Sequence, residues 1–258
     1  MRPVRQSAWL SADHTHRPSG GQCGEHLLSR LRFVERTGST NADLIADRAA
    51  AEGEWLIAGQ QDGGRGRQGR GWDSPPGNFH GSTIVQLRDA DAPPATLSLV
   101  AGVALIRAVE VAAPATGLML KWPNDLLLGP GKLAGVLLER SGERVVAGFG
   151  VNLAHAPNLP GRATSALAPI ALVSPEAFAP LLAASFAREL QRWRDDLPAT
   201  IGLWRESAHQ IGTPLTVHTA PDEKISGTFD GLEPDGRLRL RLETGEVRVI
   251  HAADVMLG

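Results

Sequence analysis

The 258-residue chain is short of several residue types, and each shortage excludes a class of protein. Its one cysteine, Cys23, rules out an intramolecular disulfide framework and a cysteine-built zinc site, which fits a reducing cytoplasm. It has no tyrosine, and aromatic residues make up only 5% of the chain, which is little for a protein that stacks on nucleic-acid bases. No apolar run approaches the roughly 20 residues of a membrane span. The formal net charge of -2 argues against a general polyanion binder.

The residues that are present describe a folded chain of two unequal parts. Hydrophobic residues make up 42% of the sequence and charged residues 21%, which is enough apolar material for a full core. The length suits one large domain followed by a small one. Residues 1–24 are an exception, because they are rich in Arg, Ser, Pro, Gly and His without a sustained hydrophobic period. We expect a disordered tail there, or a start codon assigned too early.

Residues 25–210 alternate predicted strands and helices, which indicates an α/β domain. Apolar residues at helical spacing predict a largely buried helix over 96–113. Ser174 followed by Pro175 predicts the start of a second long helix, which should run to about residue 196. The same patterns predict shorter helices at 42–52 and 199–210, and strands at 32–35, 55–58, 78–86, 118–122, 132–138 and 145–149.

Residues 211–258 have a different pattern, in which short segments alternate apolar and polar residues with a period of two. Turns rich in Pro, Asp and Gly separate these segments. The predicted strands are 215–218, 225–229, 238–242 and 246–250. Four or five strands in so short a segment are typical of a small SH3-like barrel.

The most informative segment is residues 64–72, Gly-Arg-Gly-Arg-Gln-Gly-Arg-Gly-Trp. Glycine lets the main chain approach a ligand closely, and the guanidinium groups of Arg65, Arg67 and Arg70 match phosphate and carboxylate oxygens. The pattern predicts a mobile loop that folds around an anion and is closed by Trp72. Taken alone, the segment could equally be a solvated turn or an RNA-binding Arg-Gly tract.

Three further segments place single polar side chains beside apolar strands. In residues 121–125, Lys-Trp-Pro-Asn-Asp, the proline stops a strand, so Asn124 and Asp125 should project from a rigid corner. Lys132 begins an apolar strand after a Gly-Pro-Gly turn, and Asn152 ends another. Any one of these could be a solvated lysine or a turn-capping carboxylate. Their occurrence together indicates a shared site.

Together these segments resemble the ordered motifs of biotin protein ligases, which attach biotin to a lysine of biotin-dependent carboxylases. The motifs are Ser39-Thr40-Asn41, Gln61 with residues 64–70, residues 121–125, Lys132-Leu133-Ala134-Gly135 and Gly150-Val151-Asn152-Leu153. The resemblance implies a mixed-sheet catalytic domain like that of class II aminoacyl-tRNA synthetases over 25–210, and an SH3-like domain over 211–258. It also implies ATP and biotin as substrates, with Mg²⁺ on the triphosphate. The implied partner is a biotin carboxyl carrier protein of acetyl-CoA carboxylase or a related carboxylase.

The resemblance also assigns roles to residues, although it identifies no metal ligands. Arg67, Lys132 and Asp125 would be catalytic, and the first two would contact the biotin carboxylate and the α-phosphate, whose mutual repulsion has to be cancelled. The residues that would bind biotin are Ser39, Thr40, Asn41, Gln61, Arg65, Gly66, Arg67 and Lys132. Those that would bind ATP or the adenylate are Arg67, Arg70, Trp72, Lys121, Asn124, Lys132 and Asn152.

A second step would transfer biotin to a lysine of the carrier, whose amine is mostly protonated near neutral pH. A carboxylate that orients this amine and accepts a proton would help, and Asp125 is our candidate. We expect Trp72 to cover the adenine and keep water from the adenylate. Ser39 stands at a predicted helix start, so it could also serve as a helix cap.

Two other functions stay open at this point. A lipoate or octanoate ligase or transferase of the same superfamily would carry Arg-Arg-x-Ser-Gly-Gly-Gly, which the sequence lacks. A non-enzymatic RNA-binding module would have an overall basic patch and stacking aromatic residues.

The chain departs from the family pattern in two places. Gln68 stands where the family loop frequently has arginine. The 38 residues before Ser39 leave no room for the three-helix DNA-binding domain of the family's repressors. We therefore expect a monofunctional cytoplasmic enzyme, monomeric or homodimeric, that binds neither DNA nor membranes.

Overall fold

The computed structural model describes residues 9–10, 30–114, 117–220, 223–251 and 254–257. Within the segment expected to be a disordered tail, it describes only a two-residue strand, β1 (Trp9–Leu10), which pairs antiparallel with the following strand. The rest of that segment lies outside the described residues.

A mixed sheet of eight strands forms the larger part of the molecule. Its remaining strands are β2 (Arg30–Thr37), β3 (Glu54–Gln61), β4 (Phe79–Gln86), β5 (Leu118–Lys121), β6 (Asp125–Leu128), β7 (Gly131–Ser141) and β8 (Arg144–Val151). The strand order is β1-β2-β3-β4-β8-β7-β6-β5. Only β2 and β3 run parallel, and the other neighbouring strands are antiparallel. This arrangement confirms the predicted α/β class with a mixed sheet.

Helices cover both faces of the sheet. They are α1 (Thr40–Ala46), α2 (Leu97–Ala112), α3 (Pro175–Asp195) and α4 (Leu197–Glu206). On one face α2, α3 and α4 form the main hydrophobic core with the sheet. On the other face, Leu44 of α1 packs in a smaller cluster with Leu56, Ile84 and Val146. The two predicted long helices are therefore present at nearly the predicted bounds.

Helix α2 is the central helix of the main core. The expectation that no apolar run approaches the length of a membrane span is wrong for residues Pro94–Ala112, which are long and apolar enough to cross a membrane by length and composition alone. The helix is buried at most positions against α3 and the sheet. The Trp193 indole of α3 donates to the Thr96 hydroxyl just before α2 (2.7 Å). The apolar character of this helix therefore serves core packing.

Several elements differ from the sequence predictions, among them β1, which was not predicted, and α4, which ends at Glu206 rather than at residue 210. The differences at α1 and β6 have clear physical reasons. Helix α1 ends at Ala46 rather than near residue 52, because Asp47 is extended and its carboxylate accepts the Ala49 N–H (3.1 Å), which starts a turn. Strand β6 was not predicted, because Pro123 was read as the end of a strand. The proline instead lies in the tight turn of a β5–β6 hairpin, in which Asp125 pairs with Lys121.

The C-terminal residues form a separate antiparallel sheet of five strands. These are β9 (Pro214–Ala220), β10 (Glu223–Leu232), β11 (Leu238–Arg241), β12 (Val247–Ile250) and β13 (Asp254–Leu257), in the order β12-β11-β10-β9-β13. This small β domain fits the predicted SH3-like fold. Its apolar side chains, such as Val217 and Phe229, belong to the same core as α2. The Trp122 indole of the β5–β6 hairpin donates to the Gly236 carbonyl (3.0 Å) and joins the two domains.

Candidate active site

A cleft of about 1100 Å³ lies between the arginine loop, the β5–β6 hairpin and strands β7 and β8. It contains the residues predicted to form a site, with the exception of Asn152: Ser39, Thr40, Asn41, Gln61, Arg65, Gly66, Arg67, Arg70, Trp72, Lys121, Asn124, Asp125 and Lys132. Its cationic side chains are Arg65, Arg67, Arg70, Lys121, Lys132 and Arg162. Asp125 is the single carboxylate among the described residues that line it. The cleft is therefore suited to anions.

The arginine loop, residues 64–72, folds back on itself. The Gly66 N–H donates to the Arg70 carbonyl (2.7 Å), and the Trp72 N–H donates to the Gly64 carbonyl (2.9 Å). Between these bonds a short turn passes through Gln68, whose φ is 57°. At the turn, the Arg67 guanidinium donates to the Asn124 amide oxygen of the β5–β6 hairpin (3.4 Å). The loop thus carries Arg67 across to the β5–β6 hairpin.

Trp72 packs against the floor of the cleft. A side chain at Gly150 would collide with the indole ring, so the absence of a Cβ there makes room for it. The Lys132 ammonium lies 5.3 Å from the ring centroid, within the range of a cation–π contact. The indole nitrogen is buried and has no hydrogen-bond partner among the described residues. Trp72 is therefore placed beside a predicted phosphate-binding lysine, and its contact with adenine stays a prediction.

Asp125 lies between two lysines. Its carboxylate is 2.6 Å from the Lys132 ammonium and 3.1 Å from that of Lys121. Burial would raise the pKa of the carboxyl group, but the charges and hydrogen bonds of both lysines outweigh burial and lower it. The group is thus ionised near neutral pH with both oxygens engaged. A carboxylate of lowered pKa is a weak proton acceptor, so its first role here is to hold the two ammonium groups.

A buried polar network forms the far end of the cleft. The Gln61 side-chain oxygen accepts from the Thr40 backbone N–H (2.9 Å) and from its hydroxyl (3.1 Å). That hydroxyl also contacts the Ser82 hydroxyl (2.6 Å), which donates to the Asn41 amide oxygen (2.6 Å). Asn41 in turn donates to the Glu139 carboxylate (2.7 Å). Each polar group is therefore held in one orientation, which suits recognition of a small polar ring.

Two residues of this region connect to other elements. Ser39 caps α1, because its hydroxyl accepts the Ala42 N–H (3.4 Å), and it also lines the cleft. Gln61 donates to the Ser74 hydroxyl (3.2 Å), which donates to the Trp72 carbonyl (3.2 Å). The polar network is therefore joined to the end of the arginine loop.

Asn152 is the predicted site residue that does not line the cleft. It is 2% exposed, and its amide donates to the carbonyls of Lys132 (3.2 Å) and Ser165 (3.0 Å). The structure thus places this side chain behind the cleft wall, against the backbone, rather than among the lining residues expected around a nucleotide.

Some lining residues were not predicted from the sequence. Arg162 comes from a loop over residues 159–164, and His218 and Val255 come from the small domain. Ser82 lies under the polar end of the cleft. No local sequence pattern marks these positions as site residues, apart from the Pro-Gly pair that precedes Arg162, because only the tertiary fold brings them to the cleft.

No group of three or more His, Cys, Asp or Glu side chains suited to a metal ion occurs in the part of the chain that the structure describes. The one lining carboxylate, Asp125, is already engaged by two lysines. The cleft therefore provides no protein ligand set for Mg²⁺, and the ion would enter with the triphosphate as part of the substrate.

Comparison with known proteins identifies the family. Residues 31–154 match the Biotin/lipoate A/B protein ligase family, and residues 211–258 match the Biotin protein ligase C terminal domain. A biotin--[acetyl-CoA-carboxylase] ligase of Paracoccus denitrificans is 39% identical over 246 residues, which cover 88% of this chain and 100% of the relative. The enzyme of the same name from Mycobacterium tuberculosis is 34% identical over 239 residues and covers 88% of each chain.

A solved structure shows the same fold. The biotin protein ligase from Aquifex aeolicus in complex with biotin and ATP aligns with a TM-score of 0.78 at 23% identity, over 88% of this chain and 99% of that one. Its similarity extends through both domains, and the two relatives match along almost their whole lengths. The chain belongs to the biotin protein ligase family.

Proposed function

We propose that the protein is an ATP-dependent ligase that activates biotin as biotinyl-5′-AMP and transfers it to a lysine of a biotin carboxyl carrier protein. One observation carries this proposal most strongly: a cluster of cations shares a single cleft with a largely buried network of hydroxyl and amide side chains. The relatives support it, since both are named biotin ligases that act on acetyl-CoA carboxylase. We place the carrier in that carboxylase and the reaction in the cytoplasm.

In the first step, a biotin carboxylate oxygen attacks the α-phosphorus of ATP. The bond from that phosphorus to the bridging oxygen breaks, and pyrophosphate leaves with the electron pair. Both reactants are anionic, so fixed cations around them lower the barrier. Arg67 and Lys132, which both line the cleft, neutralise the carboxylate and the α-phosphate. Arg70 and the Mg²⁺ carried by ATP neutralise the outer phosphates.

The polar end of the cleft holds the biotin ring. A cyclic urea offers two N–H donors and one carbonyl acceptor. Thr40, Asn41 and Gln61 provide both donors and acceptors in orientations that the surrounding network fixes. The carboxylate tail then points toward Lys132, which places the reacting atom beside the cations.

In the second step, the neutral lysine amine of the carrier attacks the carbonyl carbon of the mixed anhydride. The bond from that carbon to the phosphate oxygen breaks, AMP leaves with the electron pair, and the nitrogen gives its proton to Asp125 or to water. Asp125 is engaged by Lys121 and Lys132 in the free enzyme. When substrate phosphate draws these ammonium groups away, the carboxylate is released to orient the incoming amine. Its role in the transfer therefore depends on the adenylate being present.

Lipoate or octanoate ligation is the nearest alternative, because the matching family description includes lipoate ligases. The curated relatives favour biotin, since both carry the name of a biotin ligase. The RNA-binding alternative is not favoured, because the cations line one cleft together with the Asp125 carboxylate and a network of hydroxyl and amide side chains.

The test is adenylate formation by the purified protein. Biotin with Mg²⁺ and ATP should release pyrophosphate and yield biotinyl-AMP, identified by its mass. Octanoate and lipoate at equal concentration serve as matched competitors. Formation of octanoyl-AMP or lipoyl-AMP in preference to biotinyl-AMP would contradict the assignment.

A further inference from the structure

Glu139 lies just beyond the polar end of the cleft. It belongs to β7, two residues after Leu137 and four after Gly135, so the three residues share one face of the strand. Gly135 and Leu137 line the cleft, whereas Glu139 does not. No role was predicted for Glu139 from the sequence, and its contacts suggest one.

The Glu139 carboxylate determines which way the Asn41 side chain is turned. The Asn41 amide nitrogen donates to this carboxylate (2.7 Å) and, at a longer distance, to the Leu137 carbonyl (3.4 Å). A carboxylate and a carbonyl only accept hydrogen bonds, so the NH₂ group of Asn41 has to face β7. The amide oxygen then faces the other way, where it accepts the Ser82 hydroxyl (2.6 Å).

On the side of the cleft, Asn41 therefore presents an acceptor. A Cβ atom at Gly148, which lines the cleft, would collide with the Asn41 amide oxygen, so this oxygen lies at the cleft wall. An amide oxygen has two lone pairs, and Ser82 uses one of them. The other can accept an N–H group of a ligand.

The same order of donors and acceptors continues along the polar network. Because Ser82 gives its one proton to Asn41, the contact between the Ser82 and Thr40 hydroxyls (2.6 Å) has to use the Thr40 proton. The Gln61 side-chain oxygen shares that proton and also accepts the Thr40 backbone N–H (2.9 Å). One acceptor-only group, Glu139, thus sets the direction of the hydrogen bonds through the network.

We propose that Glu139 is a positioning residue that sets this direction and so makes the polar end of the cleft selective for a ring with N–H donors. This inference rests on the proposed function, in which that end holds the cyclic urea of biotin. Without the carboxylate, the Asn41 amide keeps only its longer bond to Leu137 and can turn its NH₂ group toward Ser82. A hydrogen bond to a charged group changes an equilibrium by about tenfold or more, so Glu139→Ala should weaken biotin binding by about that factor.

Binding and reaction should respond differently to this change. Calorimetry with biotin alone should show a Kd raised about tenfold in Glu139→Ala. The rate of biotinyl-AMP formation at saturating biotin should stay within about threefold of the parent, because the lost interaction is made equally in the ground state and the transition state. Glu139→Gln keeps an acceptor oxygen and should recover most of the affinity. A Kd that Glu139→Ala leaves unchanged would overturn the proposal.

Glu143 is the matched control on the same hairpin. It lies in the turn between β7 and β8, where its carboxylate contacts the Arg140 guanidinium (3.4 Å) and is 67% exposed. Glu143→Ala removes the same charge without touching Asn41 and should bind biotin as the parent does. Equal losses of affinity in Glu139→Ala and Glu143→Ala would assign the effect to net charge and refute the positioning role.

Two biotin analogues test the selectivity directly. Each is a cyclic carbamate in which one of the two ring N–H groups is replaced by oxygen. The parent protein should bind at least one of them about tenfold or more weakly than biotin, whereas Glu139→Ala should discriminate by less than about threefold, since coupled changes are not additive. Discrimination that persists in full in Glu139→Ala would contradict the proposal.

Magnetic resonance measures the Asn41 orientation without any ligand. In the parent protein, the Asn41 side-chain amide protons should show stronger nuclear Overhauser contacts to Glu139 than to Ser82. Their contacts to the Ser82 β protons should grow in Glu139→Ala and stay unchanged in Glu143→Ala. Unchanged contacts in Glu139→Ala would refute the positioning role. A parent protein that shows the expected contacts but binds no biotin would instead refute the proposed function alone.

Discussion

Asp125 shows how one carboxylate can organise several cations. It is the single lining carboxylate of the described cleft, and its lowered pKa results from Lys132 and Lys121, whose influence exceeds that of burial. Removing its charge leaves two neighbouring ammonium groups without their counterion. Asp125 is therefore expected to contribute to adenylation, before the carrier lysine arrives, as well as to the transfer step that was predicted from the sequence.

We expect Asp125→Asn to slow biotinyl-AMP formation by about tenfold or more, since a hydrogen bond to a charged group contributes about 1.5–3 kcal/mol. Pyrophosphate release measures this step, and single-turnover discharge of preformed biotinyl-AMP onto the carrier measures the second. A larger loss in discharge than in adenylation would support the additional role as a base. Adenylation at the parent rate would contradict the role in holding the lysines.

Arg67→Ala should slow adenylation far more than a change at its neighbour. Losing one positioned donor to a developing negative charge typically costs about 2.7–4 kcal/mol, or about 10²–10³-fold in rate. Gln68→Ala lies in the same turn and should remain within a few-fold of the parent, which controls for damage to the loop. Equal rates of pyrophosphate release for Arg67→Ala and Gln68→Ala would exclude the proposed role.

At the scale of elements, the arginine loop joins the two ends of the site. Its own hydrogen bonds close a small turn, and Ser74 links it to Gln61 at the polar end of the cleft. Biotin bound at Gln61 should therefore order the loop, and ATP bound to the arginines should order it further.

Amide exchange over residues 63–72 with and without biotin tests this expectation. We predict slower exchange of these amides when biotin is present, with no comparable change in α3 on the far side of the core. Equal protection of the loop in the two states would show that biotin does not order it.

The elements that could be predicted from the sequence are those with a regular period. Helix α2 was predicted because its apolar positions recur at helical spacing, and α3 because a serine and a proline mark its start. Strands β9 to β12 were predicted because their apolar and polar residues alternate, whereas β13 was not predicted. Strand β6 could not be predicted in this way, because Pro123, which stops β5, also lies in the tight turn that leads into β6. Arg162 and His218 reach the cleft only through tertiary packing, which no local pattern records. The predicted motif residues other than Asn152 converged because each lies at an end of a strand or helix, or in a turn, beside the same part of the sheet.

At the scale of the whole molecule, the two sheets share one core, and His209 lies at their junction. It is 5% exposed, its ring packs edge-on against Phe229 of the small domain, and Nδ1 lies 3.1 Å from the Met119 sulfur. Burial, followed by the charge of Lys121, lowers the pKa of this imidazole to about 4. Folding therefore keeps it neutral at pH values at which the unfolded chain would bind a proton.

This difference predicts a pH dependence of stability. Below the ordinary pKa of about 6.5, the unfolded chain gains a proton that the folded chain refuses until about pH 4. The free energy of unfolding should thus fall as the pH is lowered from 6.5 to 4. Between pH 7 and pH 5 we expect a loss of about 1–2 kcal/mol after allowance for solvent screening. Urea titrations at pH 7 and at pH 5 measure this loss in the free energy of unfolding.

His209→Leu supplies the control for that experiment. His80, whose pKa burial also lowers, is present in both proteins, so only the difference between the two titrations reports on His209. The variant should lose less stability than the parent on going from pH 7 to pH 5. An identical loss in both would assign the pH dependence to other groups.

The most direct test of the whole account is transfer of biotin to a carrier. The protein is incubated with biotin, Mg²⁺, ATP and a biotin carboxyl carrier domain, and the product is detected by streptavidin and by mass. We predict one biotin on one carrier lysine, dependent on ATP and absent when that lysine is replaced by arginine. A carrier left unmodified under these conditions, or one that receives lipoate or octanoate in preference to biotin, would contradict the account.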